Sequence, residues 1–391
     1  MRMKKLKKFI VGIRRRILFF FLWPAVFNLY AKKPIDKHLI LFAYNKNYPE
    51  MPDNMLGVYR RLSEKGCNCV VFAAPSNPLK RFLNDIKFQK YYAQCGCVFL
   101  TDNFDPVYAH RPRKGTKVIQ LWHACGAFKK WGYSTLDLSW GGSRKDMLKF
   151  PMHNTYTDVF VSAESVIPCY AEAFRCSERR IKAFGTPRTD IYFDESFVNS
   201  QREELLKKFP KIGDRKIILY APTFRGNSPE TAYNDSPLDY GKLKEALGDE
   251  YALVLKLHPF AAKKYSLTEE ESEKYGDDFV FDGSNFIKTE TALCAADILI
   301  ADYSSLIFEY SLLNRPMLFY AYDLEGYDRD RSFYFDYKSF VPGRIVRDND
   351  ELVRAIVGGN FGAEKIPEFR EKFMSACDGG CVERIADYAL K

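Results

Sequence analysis

The chain has 391 residues, more than one ordinary domain of roughly 100–200 residues accommodates, and its 47% hydrophobic and 28% charged content excludes a disordered or fibrous protein. Its net charge of +9 is concentrated at one end: Arg2, Lys4, Lys5, Lys7, Lys8, Arg14, Arg15 and Arg16 stand among residues 1–16 with no acid, and the remaining 51 basic residues nearly balance 50 Asp and Glu. A nucleic-acid binder spreads a basic stripe over its folded body, so that class is excluded.

After the basic run, Ile17 to Tyr30 is apolar and interrupted by Pro24. A spanning helix needs about 20 apolar residues, so this segment is too short, and it ends without the small-residue pattern of a cleaved signal peptide. Residues 1–34 are expected to lie in the plane of an anionic membrane surface. The basic side chains would contribute about 1 kcal/mol each at the headgroups, with Phe19, Phe20, Phe21 and Trp23 at the interface. The alternative is a helix packed on the protein's own body. The expected location is peripheral, on the cytoplasmic face of the cell membrane.

From residue 35 the pattern turns to short apolar runs separated by helical stretches, the mark of βα alternation. Strands are predicted at Leu39–Ala43, Cys69–Ala73, Cys97–Leu100, Lys117–Leu121 and Thr157–Val161, with helices at Asn54–Lys65 and Pro78–Tyr92. The alternation breaks at a charged helical stretch, Asp194–Lys208. It resumes at Lys216–Tyr220, Tyr251–Leu257, Phe279–Phe281, Ile298–Ala301, Met317–Phe319 and Arg344–Val346. Runs this short and apolar suit parallel sheets covered on both faces. Two α/β domains are therefore expected, residues 35–192 and 193–391, with ligands beyond the carboxyl ends of the strands in a cleft faced by both.

The 10 cysteines contain no CxxC pair to begin a zinc site. Cys67 and Cys69, like Cys95 and Cys97, sit in apolar runs where a thiol acts as a small hydrophobe, so reduced cysteines are expected, as in a cytoplasmic protein. Neither a Walker-A sequence nor a GxGxxG loop is present, which removes support for P-loop kinases and dinucleotide enzymes.

Four clusters follow predicted strands. His123, after the strand KVIQL, has the residue type and position of a general base, although a lone histidine also serves structure. Lys129 and Lys130 downstream either attract acceptor phosphates or solvate their loop. Arg225, ending YAPTFR, is of the type that pairs with phosphate. His258 closes LKLHP, where it either donates to a phosphate oxygen or is a satisfied core histidine. In ADYSS a strand ends at Asp302, and Ser304 and Ser305 open a helix. Free amides there bind phosphate, or the serines act as ordinary caps.

Taken together and in order, WHACGAFKKWG, Gly185-Thr186-Pro187-Arg188-Thr189-Asp190, YAPTFR, LKLHP and the ADYSS stretch resemble the CDP-glycerol glycerophosphotransferase family of teichoic acid synthesis, in its short single-module form. The resemblance runs from about Val118 to Val346 and departs from the family pattern at Ala124-Cys125-Gly126-Ala127 and at Phe224. It implies a GT-B-like fold of two Rossmann-like domains, the N-terminal one for the acceptor and the C-terminal one for the donor. It implies His123 as base, and His258, Arg225, Ser304, Ser305, Thr223 and Lys256 around the donor phosphates, with Asp302 arranging the turn. Lys129, Lys130, Arg188 and Asp190 would serve the acceptor. The implied partners are CDP-glycerol, or CDP-ribitol in the same design, and an undecaprenyl-diphosphate-linked acceptor, with homo-oligomerisation left open. Ordinary sugar transfer on the same fold would explain the histidines and the serine turn but not the whole motif set. No cofactor and no metal are required, since arginine, histidine and helix amides offset pyrophosphate charge.

Overall fold

The computed structural model describes residues 11–391 apart from 47, 137, 139–140, 227–232, 234–236, 266 and 277. Arg2, Lys4, Lys5, Lys7 and Lys8 of the expected membrane segment lie outside the described residues.

Two compact units emerge, each around a six-stranded sheet whose neighbours all pair in parallel. The first comprises Met1–Ala124, Trp131–Asp190 and Ala376–Lys391. Its strands β1 (Asp36–Tyr44), β2 (Asn68–Ala73), β3 (Cys95–Leu100), β4 (Lys117–Gln120), β5 (Asp158–Phe160) and β6 (Ile181–Lys182) run in the order β2-β1-β3-β4-β5-β6. The second comprises Cys125–Lys130 and Ile191–Ser375. Its strands β7 (Lys216–Tyr220), β8 (Tyr251–Leu255), β9 (Val280–Asp282), β10 (Ile298–Ala301), β11 (Met317–Tyr320) and β12 (Arg344–Val346) run in the order β12-β11-β10-β7-β8-β9. Strands β3, β8 and β10 are buried along their whole length, which is why they read as unbroken apolar runs. Eleven of the twelve strands coincide with predicted runs; the two-residue β6 is too short for a periodic signal.

A division at residue 192 misses two crossings. Residues 125–130 belong to the second unit, and the chain's last sixteen residues return to the first. Helix Cys381–Leu390 places Ile385, Ala386 and Ala389 in the core of the first sheet, together with Ile40, Phe42, Val58 and Leu62. The return is tight at Gly185, at φ +83°, where a Cβ would stand 2.3 Å from both the Ala376 carbonyl oxygen and Cys381 Sγ, so only glycine fits. The ten cysteines are free thiols, and Cys95 and Cys97 are buried in β3.

The N-terminal segment is helical over 11–30, with a π-type turn at Leu18–Leu22. One face packs on the first unit: Phe19 and Trp23 are each 4% exposed, Phe19 meets Phe150 edge-on, and Phe27 packs on Tyr92 and His110. Phe19 and Trp23 are therefore core residues, not interface residues, because the helix must bury one side against the body. Ile17, Phe20, Phe21 and Leu29 remain exposed, as do Leu79 and Leu83 on helix Pro78–Tyr92, against which the segment lies. Among the described residues no helix is long and apolar enough to cross a membrane.

Candidate active site

In the first unit, the parallel register that pairs Leu100 with Gln120 brings the ends of β3 and β4 together. Beyond β4 the backbone of Trp122 takes the left-handed conformation, at φ 55°, which costs a bulky residue about 1–3 kcal/mol. Three side chains hold it there. Gln120 Oε1 accepts the Trp122 N–H at 2.9 Å, while Asn54 Nδ2 and Thr101 Oγ1 each donate to its carbonyl at 2.7 Å. Gln120 is itself fully buried and donates to the Tyr156 hydroxyl at 2.7 Å. A strained turn held by buried side chains aims the next residue, His123, instead of letting it follow the strand.

The His123 ring lies 4.2 Å from the Trp122 indole, centroid to centroid. Its surface is open to solvent, yet surrounding protein mass lowers its pKa. Asp102 opposes that shift, Arg188 adds to it, and a hydrogen bond to the Thr101 carbonyl raises it again. Arg188 donates to the His123 carbonyl at 2.9 Å, and its own N–H is received by Asn54 at 3.2 Å. Arg188 thus stands beside the imidazole. Asp190 does not: its carboxylate accepts the Cys381 and Val382 amides at 3.0 and 2.8 Å, at the start of the last helix. Those amides have no partner inside the helix, so Asp190 caps it.

In the second unit, Asp302 at the end of β10 organises the adjoining loop. Its carboxylate accepts the Thr223 and Tyr303 amides at 2.8 and 2.5 Å and pairs with Arg225 at 2.9 Å. Arg225 is 7% exposed and also forms a two-point pair with Asp323, at 2.7 and 2.9 Å, and donates to the Thr223 carbonyl. The rings of Tyr303, Tyr322 and Tyr327 surround it. Its guanidinium is therefore committed to two carboxylates, which gives it the work of a strut where phosphate contact was expected. Thr223 Oγ1 is buried with no hydrogen-bond partner.

His258 follows β8, and its Nδ1 accepts the Phe260 N–H at 3.2 Å. In the neutral ring this places the proton on Nε2, making that nitrogen a donor. Burial first, and then Lys129, push its pKa down to about 4, so the ring is neutral near pH 7. Lys129 donates to the Tyr327 hydroxyl at 3.3 Å and pairs as a β-bridge with Phe333, while the Lys130 amide donates to Ser332. Both lysines are thus anchored in the unit expected to hold donor. Gly126 permits this path: at φ +60° a Cβ would meet the Phe308 ring at 2.2 Å. Lys256 is tied to the Ser284 carbonyl at 2.9 Å, and burial lowers its pKa. Ser304 Oγ accepts the Leu306 amide at 3.3 Å, the capping role, whereas Ser305 makes no side-chain cap bond.

Sequence reasoning missed Asn45, Asn54, Thr101, Asp102, Gln120 and Asp323. A signal existed for four of them. Asn45, Thr101, Asp102 and Asp323 each follow a strand end, the same position that nominated His123. Gln120 and Asn54 read as ordinary element residues, and only the fold reveals that they pin Trp122.

The sequence profile of the CDP-Glycerol:Poly(glycerophosphate) glycerophosphotransferase family matches residues 25–391, so the chain belongs to that family. It is 37% identical over 368 residues to the teichoic acid ribitol-phosphate primase of Bacillus spizizenii (strain ATCC 23059 / NRRL B-14472 / W23), covering 92% of each chain. It is 35% identical over 370 residues to the teichoic acid poly(ribitol-phosphate) polymerase of the same strain, covering 94% of this chain and 58% of that one. The wall teichoic acid polymerase TagF is similar in structure, with a TM-score of 0.74 and 23% identity over 99% of this chain and 96% of that one, a likeness of fold alone. Two Rossmann-like units of the GT-B-like class are the architecture of this protein.

Proposed function

We propose that this family member transfers a polyol phosphate from a CDP-polyol to a hydroxyl of a lipid-linked saccharide in teichoic acid assembly, releasing CMP. The observation that carries the reading is the pinned Trp122–His123 turn, which presents an imidazole at a strand end with solvent access. His123 takes the proton of the acceptor hydroxyl as its oxygen attacks the β-phosphorus. Such in-line displacement needs positioning and charge stabilisation more than covalent catalysis.

The His258 Nε2–H and the Lys129 ammonium act on the donor phosphates, supported by Thr223 Oγ1, Ser304 and Ser305. Arg225 and Asp302 keep that loop rigid. Arg188 attends the acceptor beside His123. No metal is needed, so chelators leave turnover intact.

Ribitol phosphate is the favoured unit, because two relatives that bear that name match more than nine-tenths of this chain. Glycerol phosphate is the second reading, supported by the description of the family profile. The exposed Phe20, Phe21, Ile17, Leu79 and Leu83 hold the protein on an anionic membrane surface, where a lipid-linked acceptor resides. Nucleotide release in the presence of a lipid-linked acceptor, CMP from CDP-ribitol or CDP-glycerol and UDP from UDP-sugars, tests the reading. Turnover only with a UDP-sugar would refute it, and full turnover by His123→Ala would remove the base.

A further inference from the structure

The N-terminal helix packs on helix Pro78–Tyr92, and beside that contact lies a groove of about 400 Å³ lined by Ile13, Arg14, Ile17, Leu18, Leu22 and Phe82. Close-packed helices leave few voids larger than a water molecule, whereas this volume lies within the roughly 300–1,000 Å³ of ligand sites. Along the helix, Ile13 and Leu22 stand about 14 Å apart. A π-type turn carries both lining leucines, with the Trp23 N–H reaching back to the Leu18 carbonyl, a widened geometry common at functional sites. Apart from Arg14 the lining is apolar. Arg14 is exposed, near the N-terminal end of the groove, and donates to the neutral Pro78 carbonyl at 3.4 Å. Ile13 and Ile17 on one helix and Leu79 and Leu83 on the other remain exposed beside it.

We propose that this groove binds the hydrocarbon chain of a single-chain anionic lipid, with the lipid phosphate at Arg14, and that the lipid carrying the acceptor is such a molecule. The second clause rests on the reading of a lipid-linked acceptor; the first stands on the groove itself. Size selects the occupant: 400 Å³ spread over about 14 Å leaves a cross-section of about 30 Å². That admits one extended hydrocarbon chain. A helix from a second copy, about 10 Å across, is too wide, and a phospholipid would leave one of its two chains outside. Lining chemistry selects the chain, since apolar surface favours hydrocarbon over water by about 25 cal/mol per Å². Charge selects the head group. Arg14, Arg15 and Arg16 stand in succession, and residues 1–16 contain no acid, so that end attracts an anion as basic residues at a bilayer do. Arg15 is committed to Asp105 at 3.4 Å and to the Phe150 ring, which makes Arg14 the arginine that serves the groove.

The test exposes the full chain to diazirine-tagged hexadecyl phosphate below its micelle concentration and locates the photolabel by mass spectrometry. Labelling should saturate and fall on Ile13–Leu22 and around Phe82. Leu18→Trp, which fills the groove, should cut it about ten-fold; should that variant fail to fold, Phe82→Trp fills the groove from the facing helix and should act alike. Arg14→Gln should weaken labelling by tagged hexadecyl phosphate about five-fold and leave labelling by tagged, uncharged hexadecanol unchanged. In turnover assays Leu18→Trp should raise KM for a long-chain acceptor, with kcat and KM for a short-chain acceptor unchanged. Label that never saturates and spreads equally to Phe21 and Leu29 overturns the proposal, as does competition by a two-chain phosphatidylglycerol equal to that by untagged hexadecyl phosphate. A dimer whose groove takes label only after dilution separates the copies overturns it too, making the groove an interface between copies. Failure of both CDP-polyols as donors would remove the transfer reading and the link to acceptor with it, whereas unsaturable label with CMP release intact overturns the groove alone.

Discussion

Replacing Asp190 with alanine should cost stability and leave acceptor binding alone. The carboxylate receives the first two amides of helix Cys381–Leu390, at 3.0 and 2.8 Å. Loss of a capping side chain costs about 1 kcal/mol and up to about 2, and a charged acceptor of two amides raises that to roughly 1–3 kcal/mol. The first unit holds about 200 residues. With about 2.1 cal/mol/K of unfolding entropy per residue, its melting midpoint should fall by roughly 2–7 °C. Asp190→Asn keeps one acceptor oxygen and should lose about half as much. Thermal and urea unfolding measure the effect, and amide exchange at Cys381 and Val382 localises it, since those two protons should exchange faster before any others change. Steady-state kinetics supply the control: KM for acceptor should stay the same. An Asp190→Ala protein within about 0.5 kcal/mol of the parent, with acceptor KM raised, would show that this aspartate is a ligand after all.

Asp302→Ala should destabilise the second unit by about 3–5 kcal/mol, read by urea unfolding, because it leaves Arg225 buried with one carboxylate and strands the Thr223 and Tyr303 amides. Asp85 gives a pH signature. It is 5% exposed, and its carboxyl is pushed up to about 7 by burial and by Asp105, against Arg81 and Arg14. Between about pH 4 and 7 the folded state keeps a proton that the unfolded chain has released, so this contribution to stability is lost as pH rises through that window. Asp85→Asn should therefore stabilise at pH 8, on the order of 2–4 kcal/mol, and change little at pH 4, as measured by denaturant unfolding at both. His110 and His153, driven down to about 4 and about 3 by burial, work the other way, losing stability as pH falls below about 6.5. Phe20→Ser with Phe21→Ser should weaken sedimentation with anionic vesicles ten-fold or more, about 1.5 kcal/mol per inserted ring, at an unchanged melting midpoint. Phe19→Ser, on the packed face, should instead lower the melting midpoint.

The strands, their parallel pairing class and the histidines at their ends were legible without coordinates, because burial on both faces writes an unbroken apolar run and the first residue after such a run is where ligands are met. Residue type alone was ambiguous wherever the partner lies far along the chain. Arg225 reads as a phosphate ligand until Asp302 and Asp323, 77 and 98 residues away, are seen to occupy it. Asp190 reads as a site residue until a helix 191 residues downstream returns to take its carboxylate. The left-handed Trp122 turn carries no local signature, since tryptophan disfavours that conformation and only Gln120, Asn54 and Thr101, assembled by the fold, make it affordable. Local pattern determines which segments are buried and where strands stop. Which charges and amides are already spoken for is decided by non-local pairing, and that pairing separates the groups left for chemistry from those that hold the site in shape.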